Sequence, residues 1–410
     1  MSHVRRFIQY AWLLVLGPIL LVGFASAADS LNVRLIGACD TPGAAYGVAV
    51  GGDYAYVADF DSGLRVISVS DPAHPVEVGH CDTPDKAYDV AVSAGYAFVA
   101  AYSSGLRVIS VSDPVRPAEV GYYDAPQRAQ AVAVQGNYVY VADQFDGLRV
   151  ISVADPAHPV EVGLCDTPGN APGVAVVGNF AYVANMGYGL RVISIADPQH
   201  PVEVGSCGTP SAVLAISLEG SYAYVADRAG GLRVISVADP SNPVEVGHYD
   251  TPFDAYAVAA SGDYVYVADL RYLRIISSAD PTHPAEIGYY DSPISAHDVV
   301  TSEGLVYLAD VGAGLGIYEF YGGGVEEVPK AEVHAPRREA RVARGVLVLS
   351  AEGSRQNTAD RAELLDATGR KVAQLHAGAN DVSRLSPGVY FVHSTLDNRQ
   401  SKMTKVVITR

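Results

Sequence analysis

The sequence predicts an all-β protein: a seven-bladed β-propeller closed by its own N-terminal strand, followed by a small β-sandwich. Three observations predict this fold. A 42-residue unit recurs, each unit holds four strand-like runs, and the repeat region starts and ends in mid-unit. A fixed period of this size is typical of repeat architectures. Each unit carries a Gly-Leu marker, replaced once by Tyr272-Leu273; the marker glycines are Gly63, Gly105, Gly147, Gly189, Gly231 and Gly314.

One unit, residues 87–128, shows how the four runs are built. The runs at 87–92, 96–100, 106–111 and 118–124 are rich in Val, Ile, Tyr and Ala and are bounded by Gly, Asp and Pro. This length and composition are typical of β-strands. An Asp-Pro pair links the third run to the fourth, because Asp bonds backbone amides ahead of it and Pro fixes φ for a turn. Four antiparallel strands per unit predict the blades of a closed ring.

The two ends of the repeat region complement each other. Residues 32–37 match a fourth strand without the first three, and residues 315–320 match a third strand without a fourth. We therefore expect these segments to pair, so that both ends of the ring build the last blade. Such pairing would remove the exposed edge that a half-blade leaves.

The N-terminal residues have the pattern of an export signal. Arg5 and Arg6 precede an apolar core, and Ala25-Ser26-Ala27 offers a small-residue cleavage site, as in secretory signal peptides. A retained membrane anchor is the alternative. No later segment is long and apolar enough to cross a bilayer, so the mature chain is expected to have no transmembrane segment. The predicted segments are a signal peptide (1–27), a propeller (28–321), a linker (322–340) and a β-sandwich (341–410).

Charge and cysteine usage restrict the function classes. Residues 28–321 contain 12 Lys and Arg against 35 Asp and Glu, a net charge of −23, whereas residues 341–410 contain 11 against 6, a net of +5. An acidic ring argues against a nucleic-acid partner. Equivalent positions in neighbouring blades should exceed the ~7 Å Cα separation that a disulfide tolerates, which favours free, buried thiols. The cysteines at one repeat position are Cys39, Cys81, Cys165 and Cys207.

The repeat resembles a known family. The segment GLRVISVSDPAHPVEVGHCDTPDKAYDVAV (63–92), followed by GYAFVA (95–100), is similar to the LVIVD family of bacterial and archaeal surface propellers. The resemblance covers residues 31–321 and implies a propeller at the cell surface. It implies no activity, because no common activity attaches to the family. This chain has Ser68 and its repeat equivalents where the family pattern has Asp in the third strand.

The tail resembles the C-terminal sorting domain of type IX secretion substrates. The similar parts are LLDATGRKV (364–372), LSPGVYFV (385–392) and KVVITR (405–410), and Asp366-Ala367-Thr368-Gly369 has the spacing of a hairpin turn. The resemblance implies that residues 341–410 engage secretion machinery. It also implies export across an outer membrane, with release or attachment at the surface.

Two loop sets should meet at one face of the ring: the loops into the innermost strands and the loops between second and third strands. By analogy with other propellers, this face is the ligand side. Aromatic rings with a few charges suit a glycan or a peptide, and drift at exposed loops is the alternative. The residues predicted for this channel mouth are Tyr46, Tyr88, Asp89, Gln130, Tyr256, His297 and Asp298 from the first set, and Phe60, Tyr102, Phe145, Tyr188 and Arg228 from the second.

Recurring charged residues have structural interpretations. Asp59 and Asp61 are spaced like the start of a calcium loop, but Asp59 recurs in most units, which favours a turn role and leaves calcium a weak candidate. No metal site or cofactor is predicted. The histidines of the Asp-Pro turns, such as His74, lie too far apart to share a metal. The third-strand arginines, such as Arg65, are expected to pair with acidic repeat positions.

The sequence offers no strong catalytic motif: it has no GxSxG, HExxH, P-loop or dinucleotide fingerprint. His297-Asp298 with Asp254 is the one acid–base grouping. We therefore expect an exported, surface or secreted, non-enzymatic binding or adhesion module for glycan or protein. The alternatives are a hydrolase or lyase at the channel mouth and a purely structural envelope component. Convergence of Tyr88, Tyr256 and His297 in a deep pocket with a buried Asp would favour the enzyme, and a shallow aromatic face would favour binding.

Overall fold

The computed structural model describes residues 30–125, 127–292 and 295–322 and, beyond them, only the C-terminal strands named below. Every regular element in these residues is a β-strand. Among them there is no helix with the length and apolarity needed to traverse a membrane. The chain divides into two compact units: the first ends at Glu326 and the second begins at Glu327. The predicted signal peptide and all of the predicted linker except its first residue lie outside the described residues.

Seven antiparallel sheets, six with four strands and one with five, form the first unit, which confirms the predicted seven-bladed propeller. Each blade runs in order from its innermost to its outermost strand. Blades 1 to 3 contain Gly47–Gly51, Tyr54–Ala58, Leu64–Ser68 and Val76–Cys81; Asp89–Ser93, Tyr96–Ala100, Leu106–Ser110 and Ala118–Tyr123; and Ala129–Gln135, Tyr138–Asp143, Gly147–Ser152 and Val160–Cys165. Blades 4 and 5 contain Gly173–Val177, Phe180–Asn185, Gly189–Ser194 and Val202–Cys207; and Ala215–Glu219, Tyr222–Ala226, Leu232–Ser236 and Val244–Tyr249.

The last two blades involve the N-terminal residues. Blade 6 contains Ala255–Ser261, Tyr264–Asp269, Tyr272–Ser277 and Ala285–Asp291, and the short strand Ser30–Leu31 adds to its outer edge. Blade 7 contains Ala296–Ser302, Leu305–Asp310 and Gly314–Phe320, with Val33–Cys39 as its fourth strand. Val33 pairs with Phe320, and Cys39 pairs with Leu315, in antiparallel register.

The hydrophobic core lies between the blades and not within any one of them. In one cluster, Leu64 and Val66 of blade 1 pack with Val90, Val99 and Ile109 of blade 2. Strands built from consecutive apolar residues such as Val, Leu and Ile give a sheet two apolar faces. Each blade therefore needs a neighbour on both sides. The seven clusters therefore depend on an unbroken ring.

Glycines in the outer strands let each blade approach the next. A Cβ on Gly79 would lie 2.3 Å from the carbonyl oxygen of Pro114, in the Asp-Pro turn of the following blade. Gly37, in the N-terminal strand, meets the carbonyl oxygen of Pro72 at the same distance. Gly288 of blade 6 meets Leu31 instead. The strand Ser30–Leu31 thus occupies the place of the Asp-Pro turn that blade 7 does not have.

A recurring arginine network fixes the third strand of most blades, as the sequence predicts. Arg149 is 4% exposed and pairs with Asp143, Asp146 and Glu161. Its Nη1 donates to Glu161 Oε2 over 2.6 Å. Equivalent arginines pair with outer-strand glutamates at Arg65, Arg107, Arg191, Arg233 and Arg274.

The cysteines are free, as predicted, but they are half-buried and not fully buried. They lie at the ends of outer strands and pack at the edges of the clusters between blades. Partial burial raises the pKa of each thiol, shown by Cys39 and Cys165. The thiols therefore stay protonated at neutral pH, and the cysteines act as small packing side chains at the ends of the outer strands.

The second unit contains two antiparallel sheets. Three strands, Arg341–Ala343, Val346–Leu349 and Gly378–Asp381, form one sheet. The other sheet contains Ala362–Asp366, Lys371–Leu375, Gly388–Thr395 and Ser401–Ile408. Ala362–Asp366 pairs with Lys371–Leu375, which is the pairing that the predicted hairpin requires, although turn residues 367–369 lie outside the described residues.

Candidate functional site

A cavity of about 720 Å³ lies along the propeller axis. The innermost strands of all seven blades line it, and a residue that directly precedes each strand or is second within it stands at the mouth. These seven residues are Tyr46, Tyr88, Gln130, Pro172, Leu214, Tyr256 and His297. The repeat places them on one rim, because they share one position in the unit.

The two predicted loop sets meet at this mouth. Phe60, between the second and third strands of blade 1, forms a β-bridge with Ala87 in the loop that leads into blade 2. Tyr102 does the same with Ala129, one blade further on. Each rim residue therefore lies beside a loop from the preceding blade as well as one from its own.

Six rings form a continuous arc over blades 6, 7, 1 and 2, and we call them the aromatic arc: Tyr256, His297, Tyr46, Phe60, Tyr88 and Tyr102. Ring centroids of Tyr256 and His297 lie 4.9 Å apart, and those of His297 and Tyr46 lie 4.3 Å apart. Tyr46 stacks on Phe60 at 4.5 Å. Tyr88 stacks on Tyr102 at 5.0 Å and meets Tyr46 edge-on at 5.4 Å. All six are half-buried, so each ring is held in place yet keeps an accessible face.

Two rings of the aromatic arc are held by unusual backbone. Phe60 has φ of +42° and Tyr102 has φ of +46°. A bulky residue in this left-handed region carries about 1–3 kcal/mol of strain. Arg228 and Leu270 adopt similar values at the same repeat position, which makes the conformation a property of this loop. At Phe60 and Tyr102 the loop holds a ring against Tyr46 and Tyr88, respectively, at the expense of local stability.

Two cations border the aromatic arc from outside the cavity. Lys86 Nζ lies 4.6 Å from the centre of the Phe60 ring, and the Arg128 guanidinium lies 4.9 Å from that of Tyr102. Burial raises the pKa of the Tyr46 and Tyr88 hydroxyls. Both hydroxyls therefore stay protonated at neutral pH and can donate a hydrogen bond to a ligand.

The opposite half of the mouth, over blades 3, 4 and 5, is different. Gln130, Pro172 and Leu214 stand there, and Met186 also lines the cavity. Met186 occupies the same repeat position as Phe60, three units of 42 residues later in the chain, and forms the equivalent bridge with Ala212. Sequence reasoning overlooked Met186, although counting the repeat from Phe60 identifies it.

Five predicted mouth residues do not line the cavity: Phe60 and Tyr102, whose rings border it within the aromatic arc, and Phe145, Tyr188 and Arg228. Phe145 and Tyr188 are 56% and 50% exposed and lie one and two positions beyond the repeat equivalents of Phe60. Arg228 shares the position of Phe60, but it pairs with Asp254 over 2.9 Å outside the cavity. This pairing also takes Asp254 away from the predicted grouping with His297 and Asp298.

One step deeper than the rings, two carboxylates bridge neighbouring blades. Asp89 of blade 2 accepts from the Val132 amide of blade 3 over 2.8 Å, and Asp298 of blade 7 accepts from the Val48 amide of blade 1 over 2.8 Å. The second oxygen of each carboxylate accepts from the amide of the next residue. Gly47 lies between them, and a Cβ there would come 2.8 Å from the Asp89 Cα.

Burial changes the acid–base behaviour of these groups. It raises the pKa of Asp89 and of Asp298, and the negative charge of Asp89 raises that of Asp298 further. Burial lowers the pKa of His297 to about 4, partly opposed by the charge of Asp310. At neutral pH the imidazole is therefore neutral, and the carboxylate pair retains protons more strongly than ordinary acids do.

The calcium candidate has a different role in the structure. Asp59 is fully buried and accepts from the Thr41 hydroxyl over 2.6 Å and the Gly43 amide over 2.8 Å. It thereby fixes the loop that leads into blade 1, which is the predicted turn role. Asp61 is exposed. Within the described part of the chain, no group of three or more His, Cys, Asp or Glu side chains is arranged to hold a metal ion.

Comparison with known proteins agrees with the fold. The profile of the LVIVD repeat matches six stretches of the chain, residues 42–83, 84–125, 126–167, 168–209, 212–251 and 254–292. No curated protein gives a significant match. The chain is similar to the crystal structure of the computationally designed Ika8 protein, with 10% identity, a TM-score of 0.53 and coverage of 70% of this chain and 99% of that one.

A second solved structure is the β-propeller domain of Cps50 (Swd1) from Myceliophteria thermophila. Its identity to this chain is 12% and the TM-score is 0.58, with coverage of 70% of this chain and 99% of that one. At such identities both likenesses show the fold alone.

Proposed function

Because the chain belongs to the LVIVD repeat family, we propose that it uses the propeller as a scaffold for a non-enzymatic binding or adhesion site for glycan or protein at the channel mouth. The observation that carries this proposal is the aromatic arc. Its rings stack in a fixed order, keep one accessible face and border a cavity of about 720 Å³. Tyrosine rings suit such a site, since each combines an apolar face with a hydroxyl.

A pair of tyrosines on the same face allows a matched test. The mature chain, with Tyr88→Ala and Tyr188→Ala variants, is screened on a glycan array and in protein pull-downs. Tyr88 belongs to the aromatic arc, whereas Tyr188 is exposed on a nearby loop outside the cavity. We expect a ligand that binds the wild type and Tyr188→Ala equally well and binds Tyr88→Ala at least tenfold more weakly, a loss of about 1.4 kcal/mol, which is within the range for a stacked aromatic pair. Equal binding by all three proteins would place the site elsewhere.

A hydrolase or lyase is the second candidate, and one observation favours it. Tyr88, Tyr256 and His297 line one cavity together with Asp298. Against it, both oxygens of Asp298 accept backbone amides, so the carboxylate serves first to join blades 7 and 1. Turnover of glycan fragments that is lost in His297→Gln, with binding retained, would establish the enzyme.

Export to the cell surface or medium is part of the proposal. It is supported by the signal-like residues 1–27 and by the sorting-like tail, residues 341–410. Removing the tail should leave a folded ring in the periplasm, because the propeller strands are all encoded before it. Surface display of the truncated protein, measured by protease shaving of intact cells, would argue against the sorting role.

Closure of the ring by its N-terminal strand completes the proposal. The register of Val33 with Phe320 supports it, as does the contact of Gly37 with the following Asp-Pro turn. Cleavage after Ala27 would leave both N-terminal strands on the mature chain. The binding face would then depend on a blade that forms only when the two ends of the ring meet.

A further inference from the structure

Two acidic side chains lie within the cavity without a cation beside them. The charged side chains that line it are Asp89 and Asp298, and His297 is neutral at pH 7 because burial lowers its pKa to about 4. Among the described residues no lysine or arginine forms an ion pair with either carboxylate. Lys86 and Arg128 stay outside the cavity, over the rings of Phe60 and Tyr102.

Five of the seven blades avoid a carboxylate at this position. They carry Gly47, Ala131, Gly173, Ala215 and Ala257. The fold therefore does not require Asp there. The two aspartates also repel each other, since the charge of Asp89 raises the pKa of Asp298. Asp89 and Asp298 are therefore particular to two blades, and their hydrogen bonds to backbone amides leave each negative charge without a positive group beside it among the described residues, which a cationic ligand would supply.

Four rings of the aromatic arc, Tyr46, Tyr88, Tyr256 and His297, line the same cavity as these carboxylates. Tyr88 is adjacent in sequence to Asp89, and His297 is adjacent to Asp298. The faces of Tyr rings attract cations, most strongly where water is excluded. The cavity wall further in includes apolar side chains such as Ala91, Val92 and Ala259, which offer no competing charge to a cation. The tyrosine rings and the two carboxylates together match the chemistry of an organic cation.

We propose that the mouth binds a ligand through an alkylammonium group, which passes between the rings of Tyr46, Tyr88 and Tyr256 and is neutralised by Asp89 and Asp298. The inference rests on the proposed function of the mouth as a ligand site and specifies the chemistry of that ligand. A lysine side chain, an amino sugar and choline all carry such a group.

The test uses the mature chain and paired probes in calorimetric titrations. N-acetyl-lysine methylamide, glucosamine and choline are each compared with a neutral counterpart: N-acetyl-norleucine methylamide, glucose and 3,3-dimethylbutan-1-ol. We expect at least one ammonium probe to bind roughly tenfold tighter than its counterpart, as a cation–π contact with a paired charge predicts. The probe that binds identifies the source. Binding of none, or equal binding within every pair, overturns the inference.

Variants separate the charge from the fold. Asp89→Ala/Asp298→Ala gives both blades a side chain that Ala131, Ala215 and Ala257 already show to be compatible with the repeat. The control is Asp166→Ala, an exposed acid on the loop before blade 4. The double variant should lose the preference for ammonium, and the control should keep it. Circular dichroism melting shows whether the double variant is folded, and a folded double variant that keeps the preference overturns the inference.

A readout on the wild type needs no variant. Choline is charged at every pH, so its affinity reports the protein groups that face it: Asp89, Asp298, His297 and the hydroxyls of Tyr46, Tyr88 and Tyr256. Between pH 5 and pH 8 the carboxylates of Asp89 and Asp298 ionise, so affinity should rise roughly tenfold. A flat profile contradicts the inference. If neutral glycans or peptides bind with dependence on Tyr88 while ammonium gives no advantage, the proposed function stands and this inference fails.

Discussion

Residue types recur from blade to blade in the outer three strands, but they vary at the start of the innermost strand. In the third strand, the same arginine recurs with the same glutamate partner, as in Arg149 with Glu161. At the channel mouth, one repeat position holds Tyr46, Gln130 and His297 in different blades. A uniform backbone therefore carries a variable rim. The difference indicates that the scaffold region determines stability and the mouth determines binding, and changes in each region should have distinct effects.

Deleting residues 31–37 should have the largest effect, since it removes most of the strand that pairs with Gly314–Phe320. Blade 7 would lose the partner of Gly314–Phe320, and clusters that need a complete ring would open. We expect a loss comparable to the net stability of a whole domain, about 5–15 kcal/mol, measured as the disappearance of the cooperative thermal transition. Removal of residues 341–410 is the control and should leave the propeller transition in place. An unchanged melting temperature in the deletion would break the account of closure.

Arg149→Ala tests the scaffold region within one blade. Three acidic partners, one of them the fully buried Asp143, would lose their countercharge. Removing one partner of a buried ion pair costs about 3–5 kcal/mol, measured by urea unfolding. Arg116→Ala is the matched control, because Arg116 is exposed and pairs with Asp113 at the surface, where such pairs contribute about 0–1 kcal/mol. Equal effects of the two variants would contradict the structural role of the network.

In the arginine network the charged side chains stabilise the fold, whereas at the mouth the charged form of Asp298 should destabilise it. The folded-state pKa of Asp298 is raised above its unfolded value, so the folded protein binds the extra proton. Stability from this group is therefore present at low pH and is lost as pH rises from about 4 toward the raised value. In Asp298→Ala the unfolding free energy should therefore decrease with rising pH by about 1–3 kcal/mol less than in the wild type.

His297 contributes the opposite slope, because its pKa is lowered to about 4. Its contribution to stability rises between about pH 4 and pH 6.5. The comparison is therefore between wild type and Asp298→Ala at each pH, which cancels the histidine. If the two curves stay parallel from pH 4 to pH 8, the carboxylate is not in the environment described.

Tyr46→Ala should have the smallest effect on stability and a large one on binding. The ring is half-buried and stacks on Phe60, a contact that contributes about 0.5–1.5 kcal/mol. The unfolding free energy should fall by about that amount, while affinity for a ligand of the mouth falls at least tenfold. A variant that loses stability but no affinity would make the aromatic arc part of the scaffold.

Much of the fold could be predicted from the sequence because its signals repeat. The number of blades follows from the period and the Asp-Pro turns. The pairing of residues 32–37 with 315–320 follows from the complementary strands at the two ends of the repeat region. The rim position was found for the same reason. The partners of single side chains were harder to predict: the pairing of Arg228 with Asp254 and the bridges from Asp89 and Asp298 depend on backbone amides of other blades. Phe145 and Tyr188 were assigned by residue type, and counting the repeat would have pointed to Met186.

Hydrogen exchange of the mature chain, with and without the best ligand from the glycan and peptide screens, tests the central claim most directly. The account predicts new protection in residues 46–48, 88–90, 256–258 and 297–299, where the aromatic arc and the two carboxylates lie. The loops into blades 3 to 5 and the Asp-Pro turns should exchange as before. Protection at the turns or on the outer strands, with none at the arc, would contradict the division between scaffold and mouth.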